Sequence, residues 1–364
     1  MGSYRSKLKK YNVVDLFCGA GGFSLGLKET NRFNSIIAND IDMDMCKAYS
    51  LNFPKTKIIP KPISDIDFFD IRRKNNIDVV VGGPPCQAYS LSGKRLINDP
   101  RANLFLDYYR AIESVKPYIF VYENVKGLFS YRNGNIFNQL KELFEKIGYE
   151  LSINFVNALN FGVPQSRERI FIVGYKKELS YSFPKHSHSA KKMKKPLTIR
   201  DAISDLPMIK NNEDSLKYLS KPRTSYQKLM RKNAPKELMD HKSSKHNERL
   251  IKIMSYLPEG GLKEDLPYKI RPKSGYANSY GRLWWNKPST TITRNFGTPS
   301  SARCIHPKID RALTTREGAR LQSFPDYYKF FGSRAKKNLQ IGNAVPPILA
   351  KKIGKSIYRS LDKL

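Results

Sequence analysis

The chain has 364 residues, of which 65 are lysine or arginine and 32 are acidic, so its formal net charge is +33. This length accommodates one large domain and a smaller one. So large a positive excess indicates a polyanionic partner, and nucleic acid fits better than a membrane surface. No apolar run approaches the ~20 residues of a membrane span, and the basic N-terminus lacks a signal-peptide core. We therefore expect no membrane association and a cytoplasmic location.

Four cysteines, Cys18, Cys46, Cys86 and Cys304, are scattered along the chain without a CxxC pair. This spacing predicts neither a zinc site nor a disulfide framework. The five histidines show no metal-ligand spacing either. We therefore expect no metal, and a reducing compartment that leaves any functional thiol free.

Residues 12–174 alternate short apolar runs with helical patterns, which is typical of βαβ units. Strands are predicted at 12–17, 35–38, 77–81, 118–122, 151–156 and 169–173, and helices near 22–29, 43–52, 104–115 and 136–147. From about 175 to 309 the sequence is rich in lysine and punctuated by proline and serine, which indicates a second, irregular basic domain. Helical patterns return near 315–322 and 347–360.

A glycine-rich turn follows the first predicted strand, in residues 15–24 (DLFCGAGGFS). Glycines there let a ligand lie against the backbone at a helix N-terminus. The next strand ends about 20 residues later at Asn39-Asp40, where an acidic residue typically binds ribose hydroxyls. Because Ser24 takes the last place of a GxGxxG pattern, the turn favours a mononucleoside-like cofactor over a dinucleotide. The alternative is a purely structural tight turn.

The predicted strand 77–81 runs into residues 82–87, GGPPCQ. Glycines turn the chain sharply, and Pro84 and Pro85 stiffen the segment that delivers Cys86 to the carboxyl edge of the sheet. Cys86 is therefore a candidate nucleophile. On this stretch alone, a small buried hydrophobic residue is an equally good interpretation.

Two further motifs carry charged side chains. Residues 120–125 (FVYENV) place Glu123 at the end of another buried strand, on the same edge as Cys86. A carboxylate at the mouth of an apolar site is a candidate proton donor, and a structural acid is the alternative. In residues 165–169 (QSRER), strand periodicity puts Arg167 and Arg169 on one face, suited to an anion or a carbonyl. A surface salt-bridge ladder is the alternative.

Together these blocks resemble the C5-cytosine DNA methyltransferase family, and they occur in that family's order over nearly the whole catalytic portion. Residues 82–87 are similar to its nucleophile motif, 123–125 to its acid motif and 165–169 to its arginine motif. Residues 316–325 (REGARLQSFP) and 340–346 (QIGNAVP) complete the set.

The resemblance implies an α/β fold, with a Rossmann-like S-adenosylmethionine-dependent methyltransferase sheet and a second, smaller, irregular target-recognition domain. The catalytic domain is expected over 1–175, completed by 331–364 folding back, and the target-recognition domain over 176–330. The implied enzyme is a bacterial DNA (cytosine-5)-methyltransferase of a restriction–modification system, acting on a flipped-out cytosine. A tRNA cytosine-5 methyltransferase and a catalytically silent DNA-binding protein are the alternatives.

The same resemblance implies that Cys86 adds to C6 of the cytosine, that Glu123 hydrogen-bonds the base, and that Arg169, supported by Arg167, contacts its O2. Residues 88–103 are expected to form a lid over the flipped nucleotide, or else an ordinary surface loop. Trp284 and Trp285 are interpreted as core residues of the small domain.

The cofactor implied is S-adenosyl-L-methionine, with binding residues Phe17, Gly19, Gly22, Asp40, Ile41, Asp65, Ile66, Pro85, Leu104 and Asn343. Ile41 is a departure, because many relatives carry an aromatic residue there. The partner implied is double-stranded DNA, contacted by Gln87, Ser90, Arg95, Arg101, Arg282, Thr291 and Arg294. We expect a monomer, associated with the nucleoid through DNA, and a cognate restriction endonuclease that forms no stable complex with it.

Overall fold

A computed structural model of the chain describes residues 8–85, 104–130, 135–189, 194–273 and 278–364. The chain divides into two compact units. Unit 1 comprises Met1–Val156, Glu168–Lys185 and Leu349–Leu364, and unit 2 comprises Asn157–Arg167 and His186–Ile348. Among the described residues, no helix has both the length and the apolar character needed to span a bilayer. The same residues contain no group of three potential metal ligands.

Unit 1 is built on a seven-stranded sheet in the order β3-β2-β1-β4-β5-β7-β6. The first five strands pair in parallel, whereas β7 runs antiparallel to β5. This mixed sheet with flanking helices confirms the predicted α/β class. The strands are β1 Tyr11–Leu16, β2 Phe33–Asn39, β3 Lys57–Ile59, β4 Val79–Gly82, β5 Ile119–Val125, β6 Tyr149–Asn157 and β7 Glu168–Lys176. The short β3 and the antiparallel pairing were not predicted from the sequence.

The central strands are nearly continuous runs of buried apolar residues, as expected of strands covered on both faces. Tyr108 packs at the centre of this core, with its ring edge-on to Phe120, Tyr122 and Phe144. Its hydroxyl donates to the carbonyl of Val121 at 2.9 Å, which satisfies the buried phenol. The helices of unit 1 are α1 Gly22–Lys28, α2 Met43–Asn52, α3 Phe68–Lys74, α4 Leu104–Val115, α5 Gly127–Ser130, α6 Asn135–Lys146 and most of α12 Pro347–Leu361.

The last helix, α12, packs against α1, and the residues that follow it contact β1. Gly354 of α12 lies so close to Leu27 that a β-carbon there would be 2.7 Å from the leucine side chain. Beyond the helix, Asp362 accepts a hydrogen bond from the Tyr11 hydroxyl at 2.8 Å and forms an ion pair with Arg32. Residues 349–364 therefore belong to unit 1.

Unit 2 contains short helices and isolated bridges, and its described residues form no strand ladder. The helices are α7 Ile199–Ile203, α8 Ser225–Met230, α9 Glu248–Tyr256, α10 Thr315–Leu321 and α11 Arg334–Asn343. Residues 157–167 and 331–348 cluster with this unit, unlike the predicted boundaries at 175 and 330. Hydrogen bonds account for both segments. Ser166 N donates to Ser289 O and Gln165 Nε2 to Leu321 O, and Arg334 Nη2 donates to Leu313 O.

The interior of unit 2 is unusually polar. Arg311, Arg316 and Arg320 are all completely buried. Arg320 forms ion pairs with Asp205 at 2.5 Å and Asp326 at 2.7 Å. Buried charges are tolerated when every partner is present, and removing one partner is costly. Unit 2 therefore buries these paired charges alongside its apolar residues, and the loss of either partner would leave an uncompensated buried charge.

A buried histidine lies beside one of these ion pairs. Glu317 is held by Arg311 through two hydrogen bonds of 2.8 Å, and His306 Nε2 is 3.8 Å from the same carboxylate. Burial lowers the pKa of His306 to about 3, since the nearby Glu317 only partly offsets the loss of solvent. Burial also lowers the pKa of His241 and His246.

Because burial lowers the pKa of these three histidines, we expect the free energy of unfolding to decrease as the pH falls. Below pH 6.5 the unfolded chain binds protons that folded His306 does not, so unfolding becomes more favourable as the pH falls. His306 alone should contribute about 1.4 kcal/mol per pH unit between that value and about pH 3. Urea unfolding at pH 5.5 and 4.5, both within this window, should show this slope, and His306→Gln should reduce it by that amount. Equal slopes in the two proteins would contradict the prediction.

Candidate active site

The glycine-rich turn after β1 is held open by a carboxylate. Gly19 N donates to Asp40 Oδ2 at 2.8 Å, and Asp42 N donates to Asp40 Oδ1 at 3.0 Å. Phe17 and Gly19 have φ angles of 53° and 52°, and no atom lies within 4 Å of where a Gly19 β-carbon would stand. Burial raises the pKa of Asp40, although its backbone donors oppose that effect. The turn therefore offers open space against its backbone, beside a carboxylate at the end of β2.

A buried polar network lies behind this turn, and it was not recognised in the sequence. Ser24 Oγ donates to Asp15 Oδ2 at 2.6 Å and accepts from the Tyr49 hydroxyl at 2.7 Å. Burial raises the pKa of Asp15 to about 7. The network ties β1, α1 and α2 together. An acidic residue inside the apolar run of β1 was the signal that could have revealed it.

The other predicted cofactor residues occupy different environments. Ile41 is exposed by 69%, and Asp65 is exposed on a one-turn 3₁₀ helix. Ile66 is only 5% exposed and belongs to the hydrophobic core of unit 1. Its side chain therefore packs within that core. The remaining predicted residues are Gly22, which is buried at the start of α1, Pro85 and Leu104, which are half-buried, and Asn343, which is exposed at the end of α11 in unit 2.

The antiparallel pairing of β5 and β7 brings two predicted catalytic side chains together. Arg169 Nε lies 3.1 Å from Glu123 Oε1, and the two side chains are 17% and 13% exposed. The exit of β4 lies against the same glutamate, because a β-carbon on Gly83 would be 3.0 Å from Glu123 Oε2. Buried Asn124 donates its Nδ2 to the carbonyl of Pro84 at 3.3 Å. The Gly-Pro-Pro segment is thus fastened beside the ion pair.

Cys86 follows this segment directly in the sequence, and it lies outside the described residues. The same is true of the predicted DNA contacts Gln87, Ser90, Arg95 and Arg101, and of the segment 88–103.

Two of the predicted arginines are buried and bonded to backbone carbonyls. Arg282 is 5% exposed, and its guanidinium donates to four backbone carbonyls and to Asp310, which uses all five of its N–H groups. It cannot read a base edge in this arrangement. Arg167 is 2% exposed and donates to the carbonyls of Ile292 and Gly342 within unit 2. These bonds fasten the segment before β7 to the rest of unit 2.

The two remaining predicted DNA contacts belong to the same unit. Thr291 is half-buried, and its hydroxyl donates to the carbonyl of Ser166 at 2.8 Å. Arg294 is exposed, as contact with a duplex requires.

The family model for C-5 cytosine-specific DNA methylases matches residues 11–359. The chain belongs to this family. It is 34% identical over 352 residues to the type II methyltransferase M1.HphI of Haemophilus parahaemolyticus, covering 95% of this chain and 86% of that protein. It is 36% identical over 371 residues to M.DdeI of Desulfomicrobium norvegicum, covering 95% of this chain and 88% of that protein.

Two solved structures are similar to this chain over nearly its whole length. A DNA modification methyltransferase encoded within an E. coli prophage superimposes with a TM-score of 0.79 and 27% identity, covering 97% of this chain and 100% of the other. DNMT2 of Spodoptera frugiperda superimposes with a TM-score of 0.66 at 18% identity, covering 96% of this chain and 100% of that one, and it supports the fold alone.

Methyltransferases of this kind use S-adenosylmethionine in general. The residues of the glycine-rich turn after β1 fit S-adenosylmethionine. Gly19 leaves room for a ligand against the backbone, and the Asp40 carboxylate can accept hydrogen bonds from ribose hydroxyls. The strand order reverses between β1 and β4, and ligands of open α/β sheets bind at such a switch point.

The contact between Asn124 and Pro84 predicts a loss of stability on substitution. Asn124→Ala removes the donor to a buried carbonyl, so we expect the free energy of unfolding to fall by about 1–3 kcal/mol. Urea denaturation would measure this change. Asn138→Ala, on an exposed position of α6, is the control and should shift that value by less than about 0.5 kcal/mol. Similar losses in both variants would argue against the contact.

Proposed function

We propose that this chain methylates C5 of cytosine in double-stranded DNA, as the modification enzyme of a restriction–modification system. The observation that carries the proposal is the match to the C-5 cytosine-specific DNA methylase model over residues 11–359. The relatives M1.HphI and M.DdeI are type II methyltransferases, which favours DNA over tRNA as the substrate. The net charge of +33 suits a polyanion as large as a duplex.

Cys86 is the nucleophile in this proposal. Cytosine C5 is a poor nucleophile, and adding a thiolate to C6 gives C5 enamine character. The Cys86 Sγ–C6 bond forms as C5 takes up the methyl group. A base then removes the C5 proton, and the Sγ–C6 bond breaks to restore the aromatic ring. The target cytosine must leave the duplex before Cys86 can add to it, because base stacking otherwise covers C6.

Glu123 and Arg169 hold the cytosine in this scheme. The glutamate carboxyl would hydrogen-bond the N3 edge and draw charge from the ring as Cys86 adds. Arg169 would contact O2 while it orients the glutamate through the 3.1 Å contact between Nε and Oε1. The closeness of Gly83 to Glu123 supports this assignment, because residue 86 follows three positions later.

S-adenosylmethionine would supply the methyl group from its electrophilic sulfonium, and the S–CH3 bond would break to leave S-adenosylhomocysteine. Asp40 would accept hydrogen bonds from its ribose, and the backbone of Phe17, Gly19 and Gly22 would face it across the open turn. Ile41 would cover the adenine with its exposed side chain. Asp65, Pro85, Leu104 and Asn343 complete the proposed set.

Unit 2 would recognise the DNA in this proposal. Arg294 and Thr291 remain proposed contacts, together with Gln87, Ser90, Arg95 and Arg101. We further propose a monomer in the bacterial cytoplasm, associated with the nucleoid through its substrate. A cognate endonuclease would share the recognition sequence without forming a stable complex.

Substitution of the nucleophile provides the direct test. Cys86→Ser should abolish transfer of labelled methyl groups from S-adenosylmethionine to duplex DNA, because the hydroxyl is a far weaker nucleophile than a thiolate. Glu123→Gln should lower kcat by about 10²–10⁴-fold, the usual contribution of an acid–base group. In the presence of S-adenosylmethionine, wild-type protein should also form a stable adduct with 5-fluorocytosine DNA, since after methyl transfer the fluorine on C5 cannot leave as a proton does. Full activity in Cys86→Ser, or activity on tRNA alone, would overturn the proposal.

The role of Asp40 can be tested without turnover. Asp40→Asn should weaken binding of S-adenosylhomocysteine by about tenfold, since an amide replaces one acceptor facing the ribose. Calorimetric titration measures this directly. Asp44→Asn, on the first turn of α2, is the matched control and should bind like the wild type. Unchanged affinity in Asp40→Asn would remove Asp40 from the cofactor site.

A further inference from the structure

A cavity of about 630 Å³ lies within unit 2, and the proposed methyl transfer assigns it no role. Its volume falls in the range of small-molecule sites. The residues that matter here are two arginines, one aromatic residue, one amide and two exposed apolar side chains. They are Arg200, Arg223, Trp285, Asn286, Met208 and Leu219.

The two arginines differ from most others in this unit. Arg282, Arg311 and Arg320 are buried and bonded to carboxylates or carbonyls. Arg200 and Arg223 are exposed, and neither guanidinium has a hydrogen-bond or ion-pair partner within the described part of the chain. Two cations of this kind on one cavity attract an anion, and the planar guanidinium suits phosphate oxygens in particular.

The walls of the cavity are fixed by hydrogen bonds. Arg200 N donates to the carbonyl of Trp285 at 2.9 Å, which joins α7 to the segment that carries the tryptophan. Thr224 Oγ1 donates to the carbonyl of Asp201 at 2.9 Å, which joins the start of α8 to α7.

The carboxylate of Asp201 also lines the cavity, and it is already engaged. It accepts hydrogen bonds from the backbone N and the hydroxyl of Thr198, the N-cap residue of α7, and so forms one half of a capping box. Its charge is therefore partly compensated, and it opposes an incoming anion less than a free carboxylate would.

We propose that this cavity binds a nucleotide, with the phosphate between Arg200 and Arg223 and the base against Trp285. An aromatic side chain supplies a stacking surface for a base, and this contribution does not depend on which base is present. Met208 and Leu219, which are 42% and 55% exposed, add apolar area, and the Asn286 amide can hydrogen-bond a base edge. The nucleotide is an unstacked residue of a bound DNA strand or a free mononucleotide. This site is independent of methyl transfer and requires no cofactor.

The chain allows a specific optical test, because Trp284 and Trp285 are its two tryptophans. Trp284→Phe leaves Trp285 as the single fluorescent reporter at the cavity. Titration with deoxyadenosine monophosphate should quench this fluorescence to saturation. Arg200→Ala with Arg223→Ala in the same background should weaken the affinity by at least about tenfold, as expected for losing charge-assisted phosphate contacts. Calorimetry on the protein with both tryptophans and on its double arginine variant repeats the measurement without the reporter substitution.

The controls separate the possible ligands. Arg249→Ala removes an exposed arginine of α9 outside the cavity and should leave the affinity unchanged. Competition by an unpaired oligonucleotide, but not by a blunt duplex, would assign the nucleotide to an unstacked strand; competition by neither supports a free nucleotide. Equal binding of inorganic phosphate or of an acidic peptide would overturn the proposal, as would the absence of quenching and heat. Loss of methyl transfer in Cys86→Ser leaves these measurements unaffected, so the two proposals fail separately.

Discussion

The pairing of β1 with β2 on one side and β4 on the other is the constraint on which the site depends. Because the strand order reverses there, the segments after β1 and β4 leave the sheet in opposite directions and open a crevice between them. The glycine turn with Asp40 lies on one side of that crevice, and the Gly-Pro-Pro segment lies on the other. Residues far apart in sequence thereby come to one edge of the sheet.

The second requirement is the antiparallel strand β7. Val125 of β5 pairs with Arg169 of β7. Glu123 lies two residues earlier on β5, so its side chain is on the same face of the sheet and reaches Arg169. A parallel β7 would run the other way along β5 and carry Arg169 to the opposite edge of the sheet. One departure from the parallel pattern is thus what joins the acid and arginine motifs in unit 1.

Much of unit 1 could be predicted from the sequence, because its signals are local. Apolar runs that end in Gly, Pro or an acidic residue mark the strands and their carboxyl ends, and Asp40 and Glu123 were found in that way. The errors concern residues whose environment is built from distant segments. Arg282 carries the donors of a base-reading side chain, yet carbonyls at 254, 257, 306 and 309 converge on it. No spacing rule predicts that convergence, and the burial of Ile66 and the bonding of Arg167 were missed for the same reason.

The contact of Asp362 with Tyr11 and Arg32 brings the end of the last helix beside the first strand of the sheet. A short peptide linker could join them, and new termini could then be cut in an exposed connection elsewhere. The order of the motifs along the polypeptide is therefore separable from their arrangement in space. A circularly permuted gene could therefore encode a protein with the same sheet and the same arrangement of motifs.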